Sequence, residues 1–363
     1  MNVFIKLIII FAESNSKTLK NTKYCPELPL KPLINSIFNI NTLDEFRQVA
    51  LAVFQYQSTE NEVYARYIEG LRLDPYAITE IEQIPFLPIE FFKSHEIISG
   101  QNPQIEEIFT SSGTTGMIQS KHYVSDVSIY EKSYLKGFEL FYGNIEEYYV
   151  LALLPSYLER DGSSLIYMTD DLIKKSKHPD SGFYLNNYDE LIIKLRQLKS
   201  KNQKTILLGV TYALLDLVEQ FPLYKGGKED FSNFIIMETG GMKGKRKEMV
   251  REELHDVLCE GFGVKEIHSE YGMTELLSQA YSKGKGVFNC PPWMKIIIRD
   301  TNDPLTFLPD TKSGGINVID LANVNSCSFI ATQDLGKVLP DNSFEVLGRF
   351  DNSDIRGCNL LVQ

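Results

Sequence analysis

The sequence is poor in residues that staple a chain, hold a metal cluster or cross a membrane. Its five cysteines (Cys25, Cys259, Cys290, Cys327 and Cys358) are odd in number, widely spaced and without a CxxC pair. That pattern builds neither a disulfide framework nor a zinc ribbon, and it predicts a chain from a reducing compartment, cytoplasmic rather than secreted. Long apolar runs are missing too. The most membrane-like stretch, Val3–Ala12, is ten residues interrupted by Lys6, against the ~20 that a bilayer-spanning helix needs. A signal peptide is the other reading of that stretch, but Glu13 follows at once and no small-x-small cleavage site is visible. A buried strand or a misassigned start is expected there instead. Positive charge is short as well: 37 Lys and Arg against 48 Asp and Glu leave a net charge of −11. Such a chain repels phosphate backbones at long range, which argues against a broad nucleic-acid surface. A local anion site survives the argument, because a few oriented backbone N–H groups hold a phosphate whatever the net charge.

What is present is core-forming material. A hydrophobic content of 43% and an aromatic content of 11% exclude intrinsic disorder, and 24 Gly with 15 Pro exclude a fibrous chain. At ~150 residues per domain the length predicts two or three domains or subdomains. Thr42 to Glu45 carries a capping-box pattern ahead of an apolar-periodic helix through Phe46, Val49, Ala50 and Val53. Ile105–Phe109 reads as a short strand feeding a Ser/Gly/Thr loop, with a helix over Val127–Phe141 behind it. Strands are then expected at Tyr148–Leu154, Thr205–Val210, Phe234–Met237 and Glu266–His268, and helices at Leu191–Leu198, Ala213–Gln220 and Lys245–Cys259. That alternation predicts an α/β body with largely parallel, buried strands over residues 1–294. After Trp293 the texture changes to short strands at Lys295–Arg299, Gly315–Asp320, Cys327–Ala331 and Phe344–Leu347. These predict a β-rich subdomain over 295–348, followed by a tail over 349–363.

Four blocks have residue types that suit chemistry. Ser111-Ser112-Gly113-Thr114-Thr115-Gly116 follows a predicted strand, where small residues let backbone N–H groups close around an anion and hydroxyls add donors. It is not a Walker loop, since no Gly-Lys-Ser/Thr closes it; the plainer reading is an ordinary polar loop. Glu238-Thr239-Gly240-Gly241 ends another strand, and its glycine pair permits close approach to a planar ligand or simply makes a turn. Glu270-Tyr271-Gly272-Met273-Thr274-Glu275 combines an aromatic, a hydroxyl and a carboxylate, and Glu275 offers the hard oxygen that Mg²⁺ prefers. Thr332-Gln333-Asp334-Leu335-Gly336 and Gly348-Arg349-Phe350-Asp351 place a carboxylate and a guanidinium in β-rich turns, fit to hold a sugar's hydroxyls or to form a surface salt bridge. His122 and His268 are candidates for supporting or acyl-site positions; a hydrogen-bonded structural role is the alternative for each.

In this order the four blocks resemble the adenylate-forming superfamily that includes acyl-CoA synthetases and luciferases. The likeness runs from Phe109 to Arg356. Leu154-Pro155-Ser156-Tyr157-Leu158-Glu159-Arg160, Ile267-His268-Ser269-Glu270-Tyr271-Gly272-Met273-Thr274-Glu275 and Arg356-Gly357-Cys358 look more narrowly like the acyl-protein synthetases of the LuxE type. The resemblance implies an enzyme that uses ATP and Mg²⁺ to activate a carboxylic, expectedly fatty, acid as its acyl-adenylate. It assigns phosphates to Ser112, Gly113, Thr114, Thr115 and Gly116, adenine to Gly240, Gly241, Tyr271 and Gly272, and the α-phosphate to Thr274. Glu275 would ligate Mg²⁺, and Asp334 and Arg349 would hold the ribose. Cys358 would accept the acyl group as a thioester and deliver it to an acyl reductase partner; a buried small hydrophobe is the alternative reading of that cysteine.

Two departures qualify the resemblance. The loop usually closes with Pro-Lys, whereas Met117-Ile118-Gln119-Ser120 stands before Lys121-His122 here. The superfamily also carries a catalytic lysine in a small C-terminal domain after the Gly-Arg-x-Asp hinge, and with Gln363 as the last residue the expected fold lacks that domain. An acid–CoA or acid–carrier-thiol ligase, and a non-catalytic nucleotide-binding subunit of a reductase complex, are the alternative functions. Neither a nucleic-acid partner nor a membrane span is expected, and nothing in the sequence fixes the oligomeric state, the acid's chain length or the pathway.

Overall fold

The structure is a computed structural model that describes residues 30–112, 118–155, 161–185, 187–221, 229–241, 245–247 and 249–350. In chain order it has helices α1 (Leu30–Ile37), α2 (Leu43–Glu60) and α3 (Glu62–Gly70), then strands β1 (Leu87–Pro88), β2 (Glu107–Thr110) and β3 (Lys121–Val124). Helix α4 (Val127–Tyr142), strand β4 (Tyr149–Leu153), helix α5 (Ser164–Ser176), strand β5 (Gly182–Tyr184) and helix α6 (Tyr188–Ser200) follow. Next come β6 (Thr205–Val210), α7 (Thr211–Gln220), β7 (Phe234–Thr239), α8 (Arg251–Phe262) and β8 (His268–Tyr271). The chain then runs through β9 (Ala280–Ser282), β10 (Val287–Asn289), β11 (Met294–Arg299), β12 (Gly314–Asp320), β13 (Phe329–Val338) and β14 (Phe344–Arg349).

These elements fall into two compact units. Among the described residues, one holds those up to Phe91, Ser99–Gln101 and those from Pro292 onward; the other holds Phe92–Ile98 and those between Asn102 and Pro291. The texture change read at residues 294 and 295 lies close to the second division. The N-terminal helices, assigned from sequence to the α/β body, cluster instead with the C-terminal strands.

The reason is a buried polar knot. Gln57 on α2 is fully buried and its Nε2 donates to the carbonyls of Asn323 and Val324, each at 2.9 Å, while its Oε1 accepts from Ser328 N at 3.0 Å. Asn61 Nδ2 likewise donates to the Ser326 carbonyl at 2.8 Å. These bonds help satisfy the backbone groups of a largely buried loop between β12 and β13. We expect Gln57→Leu to lower the unfolding free energy by about 2–4 kcal/mol, since it strands the Val324 carbonyl and the Ser328 N–H in the interior. Urea unfolding measures this; a loss under ~0.5 kcal/mol would show that the loop finds other partners.

In the C-terminal part of that unit, β11, β12, β13 and β14 pair antiparallel in sequence order, and β1 joins β13 in parallel. The other unit has the expected α/β order. Strands β5, β4, β6, β7 and β8 lie side by side in parallel, and β9 and β10 continue the sheet antiparallel. All six residues of β6 are buried, as parallel strands covered on both faces require. Leu151, Leu153, Leu191, Leu207, Leu214 and Leu258 form its aliphatic core. The capping box expected at Thr42 forms, and the structure adds a second cap at Asp126. Thr42 and Glu45 exchange reciprocal bonds at the start of α2, and Asp126 accepts from Ser128 N at the start of α4. No helix among the described residues is long and apolar enough to cross a membrane.

Candidate active site

Open α/β sheets bind ligands at the carboxyl ends of their parallel strands, because the loops there are free to vary and helix N-termini face them. In this sheet the carboxyl ends of β7 and β8 carry two of the four sequence blocks on neighbouring strands, with Glu238 opposite Ser269 in register. Gly240 and Gly241 follow β7 with φ of +76° and +66°, a conformation that side chains disfavour, and both are exposed. Tyr271 ends β8, and the chain turns at Thr274 and Glu275 shortly after it. A Cβ at Gly272 would meet the end of the Glu270 side chain, so that carboxylate would have to shift to admit one.

Beneath the two turns lies a polar network that the sequence did not single out. Arg251 Nη1 donates to Glu238 Oε1 at 3.0 Å, Thr211 Oγ1 donates to Glu238 Oε2 at 3.0 Å, and His255 Nε2 stands 3.8 Å from the same carboxylate. Burial works against the charge on Glu238, but the His255 contact and the Arg251 guanidinium outweigh it and hold the carboxyl below its usual range. One residue along, Thr239 Oγ1 donates to Glu270 Oε2 at 2.5 Å. Glu270 borders a cavity of about 20 Å³ walled by Phe138, Met168, Leu172, Met237 and Tyr281. Burial in these surroundings, partly offset by the Thr239 bond, pushes its carboxyl up to about 7, with the nearby Glu238 charge adding to the rise. Two adjacent carboxyls are therefore driven apart, one ionised and one half-protonated near neutral pH. Glu270 stood inside a sequence block; Arg251 and His255 had no local signal, because only folding carries α8 to the end of β7.

The remaining candidates are placed as follows. Ser112 is exposed at the end of β2, where Ser111 N donates to the Ser120 carbonyl at 3.0 Å and closes the base of the hairpin loop. Gly113, Thr114, Thr115 and Gly116 lie outside the described residues, as do Arg356 and Cys358. Lys121 is exposed on β3 opposite Thr110. Thr274 is half-buried and Glu275 buried, and the Thr274 carbonyl lies 2.9 Å from His122 Nδ1. The Tyr271 ring is largely buried, edge-on to Phe288 at 5.9 Å. His268 is half-buried, its Nδ1 3.2 Å from the Tyr142 hydroxyl, and burial with the neighbouring Lys283 charge holds its pKa down at about 4. In the other unit Asp334 and Arg349 face each other across β13 and β14, with Arg349 Nε 3.9 Å from Asp334 Oδ1. They sit on strands rather than in turns. Among the described residues no group of three or more His, Cys, Asp or Glu is arranged to hold a metal ion.

Residues 33–134 match the family described as acyl-protein synthetase, LuxE. The long-chain-fatty-acid–luciferin-component ligase of Vibrio harveyi is 22% identical over 342 residues, covering 85% of this chain and 84% of that protein. The chain is similar to that family over those residues and to that ligase over most of its length. Its fold is that of adenylate-forming ligases. A 2-hydroxyisobutyryl-CoA ligase in the postadenylation state superposes with a TM-score of 0.63 at 13% identity, over 93% of this chain and 75% of that structure. ATP-bound MatB from Rhodopseudomonas palustris gives 0.51 at 17% identity over 69% of this chain. The chain spans about half the length of MatB, 49% of it.

Proposed function

We propose that this enzyme activates a fatty acid with ATP and then passes the acyl group to a thiol of its own chain, Cys358, for delivery to an acyl reductase. The observation that carries the reading is the pairing of the Gly240–Gly241 and Tyr271–Glu275 turns at the carboxyl ends of adjacent parallel strands. In the first half-reaction a carboxylate oxygen of the acid attacks the α-phosphorus, the bond to the β-phosphate oxygen breaks, and pyrophosphate leaves. Negative charge grows on phosphate oxygens, so oriented donors accelerate the step. Thr274 supplies one hydroxyl, and Ser112 with the Gly113–Gly116 loop is assigned the others. The bare backbone at Gly240 and Gly241 gives a planar base close approach.

The residues present fit a magnesium ion that arrives with the nucleotide. Such an ion takes one or two protein carboxylates and completes its shell with phosphates and waters, so Glu275 alone would suffice without the three-residue cluster that is missing among the described residues. Bound there, Mg²⁺ would neutralise phosphate charge. Glu238 is committed to Arg251 and Thr211, which leaves it holding β7 rather than a metal.

Acid-dependent exchange of pyrophosphate into ATP tests the reading. A ten-carbon acid is expected to support exchange at a kcat/KM well above that of acetate, since each buried methylene contributes ~0.8 kcal/mol. Equal values for the two acids, or none for either, would overturn it. In the same assay Asp334→Ala should raise the KM for ATP at least about fivefold with little change in kcat, because ribose contacts are made in ground and transition state alike. A pure kcat effect would contradict the ribose assignment to Asp334 and Arg349.

A further inference from the structure

His122 is fully buried on β3, opposite Phe109 on β2, with the Phe92 ring edge-on at 5.7 Å. Its Nδ1 lies 2.9 Å from the backbone carbonyl of Thr274, 152 residues further along the chain. A carbonyl oxygen only accepts, so Nδ1 carries a proton and donates. Burial lowers the imidazole pKa to about 4, so the ring is neutral and its Nε2 is a bare lone pair, which finds no partner in the interior. A buried polar atom left unpaired costs free energy. An aliphatic side chain would fill the same space without that cost. What it would lose is the bond to Thr274.

We infer that His122 is a positioning residue: its Nδ1–H fixes the backbone of the Thr274–Glu275 turn against the β2–β3 hairpin, holding the turn in the geometry that receives the nucleotide's phosphates. The inference rests on the proposed adenylation site for its functional meaning. The physical argument is one of preorganisation. The Thr274–Glu275 turn leaves β8 without continuing into another strand until Ala280, and Leu276 N donates to the Met273 carbonyl across it at 3.0 Å. A donor anchored in a rigid two-stranded ribbon adds a long-range restraint to that turn. A donor that must be reoriented during reaction forfeits much of its stabilisation, so a restraint on the main chain is felt at the neighbouring hydroxyl and carboxylate.

The test uses the full chain and three substitutions. Asparagine keeps an N–H near the position of Nδ1, glutamine carries its amide out to the position of Nε2, and leucine fills the space with neither. In acid-dependent pyrophosphate exchange, His122→Asn is expected to stay within about threefold of the parent in kcat, whereas His122→Gln and His122→Leu fall at least about tenfold in kcat with a smaller change in KM for ATP. Rescue by asparagine and not by glutamine is a pattern that general loss of packing does not produce. Equal activity in all three variants, or asparagine as impaired as leucine, overturns the inference. Nitrogen-15 NMR of the parent's imidazole gives a readout independent of activity and of the variants' folding: the Nδ1–H tautomer is expected, and the Nε2–H tautomer refutes the bond to Thr274. If the parent shows no exchange with any acid, the functional reading fails, while the tautomer still decides the tie between hairpin and turn.

Discussion

Replacing Cys358 with serine is expected to leave acid-dependent pyrophosphate exchange within about twofold of the parent while abolishing hydroxylamine-labile acyl label on the denatured protein. The two half-reactions need different groups, and in the proposed scheme the cysteine serves only the second. An acyl-adenylate is a mixed anhydride. A thiolate sulfur attacks its acyl carbon, the carbon–sulfur bond forms, the bond to the phosphate oxygen breaks and AMP departs with the electron pair. The thiolate is the reacting form, so a cysteine with a raised pKa is a poor acceptor. Cys327 is fully buried and its thiol is pushed up to about 12. Burial raises Cys259 too, with Glu266 and Asp256 adding to the rise. In the sequence Cys358 follows Arg356 by two positions, and a guanidinium beside a thiol would favour thiolate. Its assignment rests on this sequence context, since it lies outside the described residues. Label retained by Cys358→Ser through a hydroxylamine-sensitive bond would move the acceptor elsewhere in the chain. Loss of exchange together with label would place Cys358 in the first half-reaction instead.

The sequence made the parallel strands legible because they are buried on both faces. Thr205–Val210 is an unbroken apolar run that no amphipathic helix would show, and the observed β6 has those limits. Polar strands were harder. The strand expected at Glu266–His268 is found at His268–Tyr271, since Ser269, Glu270 and Tyr271 continue the ladder by pairing with β9. The helix expected from Lys245 begins only at Arg251, after a Val250 N-cap without a side-chain bond. Helix α5 went unread. Its N-cap Ser163 follows Asp161-Gly162, which reads as a loop, and Thr169 to Asp171 interrupt its apolar stripe. The grouping of α2 with the C-terminal strands had no local sign either, because the Gln57 bonds bridge more than 260 residues. Within the site, the blocks with glycine and hydroxyl residues were visible from composition. The charge network of Glu238, Arg251 and His255 was not, and neither was the partner of His122.

Glu275→Gln should lower the rate of acyl-adenylate formation at least tenfold, and Thr274→Ala should do the same. Losing a metal ligand or a phosphate donor is expected to cost a few kcal/mol of transition-state stabilisation, and each ~1.4 kcal/mol is a factor of ten. Glutamine keeps the volume of the buried Glu275 side chain, so the melting temperature should move little and the effect is not one of folding. The signature is a raised magnesium requirement, because an amide oxygen is a weaker ligand than a carboxylate for a hard cation. Glu270 is the internal control, five residues earlier on β8 and also buried. Its carboxyl is pushed up to about 7 and accepts from Thr239, so much of it is already neutral near that pH. Glu270→Gln should therefore change the rate by no more than about threefold near neutral pH, an expectation that follows from the neutral form being isosteric with the amide. Single-turnover measurement of acyl-adenylate at several magnesium concentrations separates the two carboxylates. If Glu275→Gln exchanges pyrophosphate at the parent rate, or if Glu270→Gln takes over the magnesium dependence, the metal-binding role leaves Glu275 and with it the reading of the turn after β8.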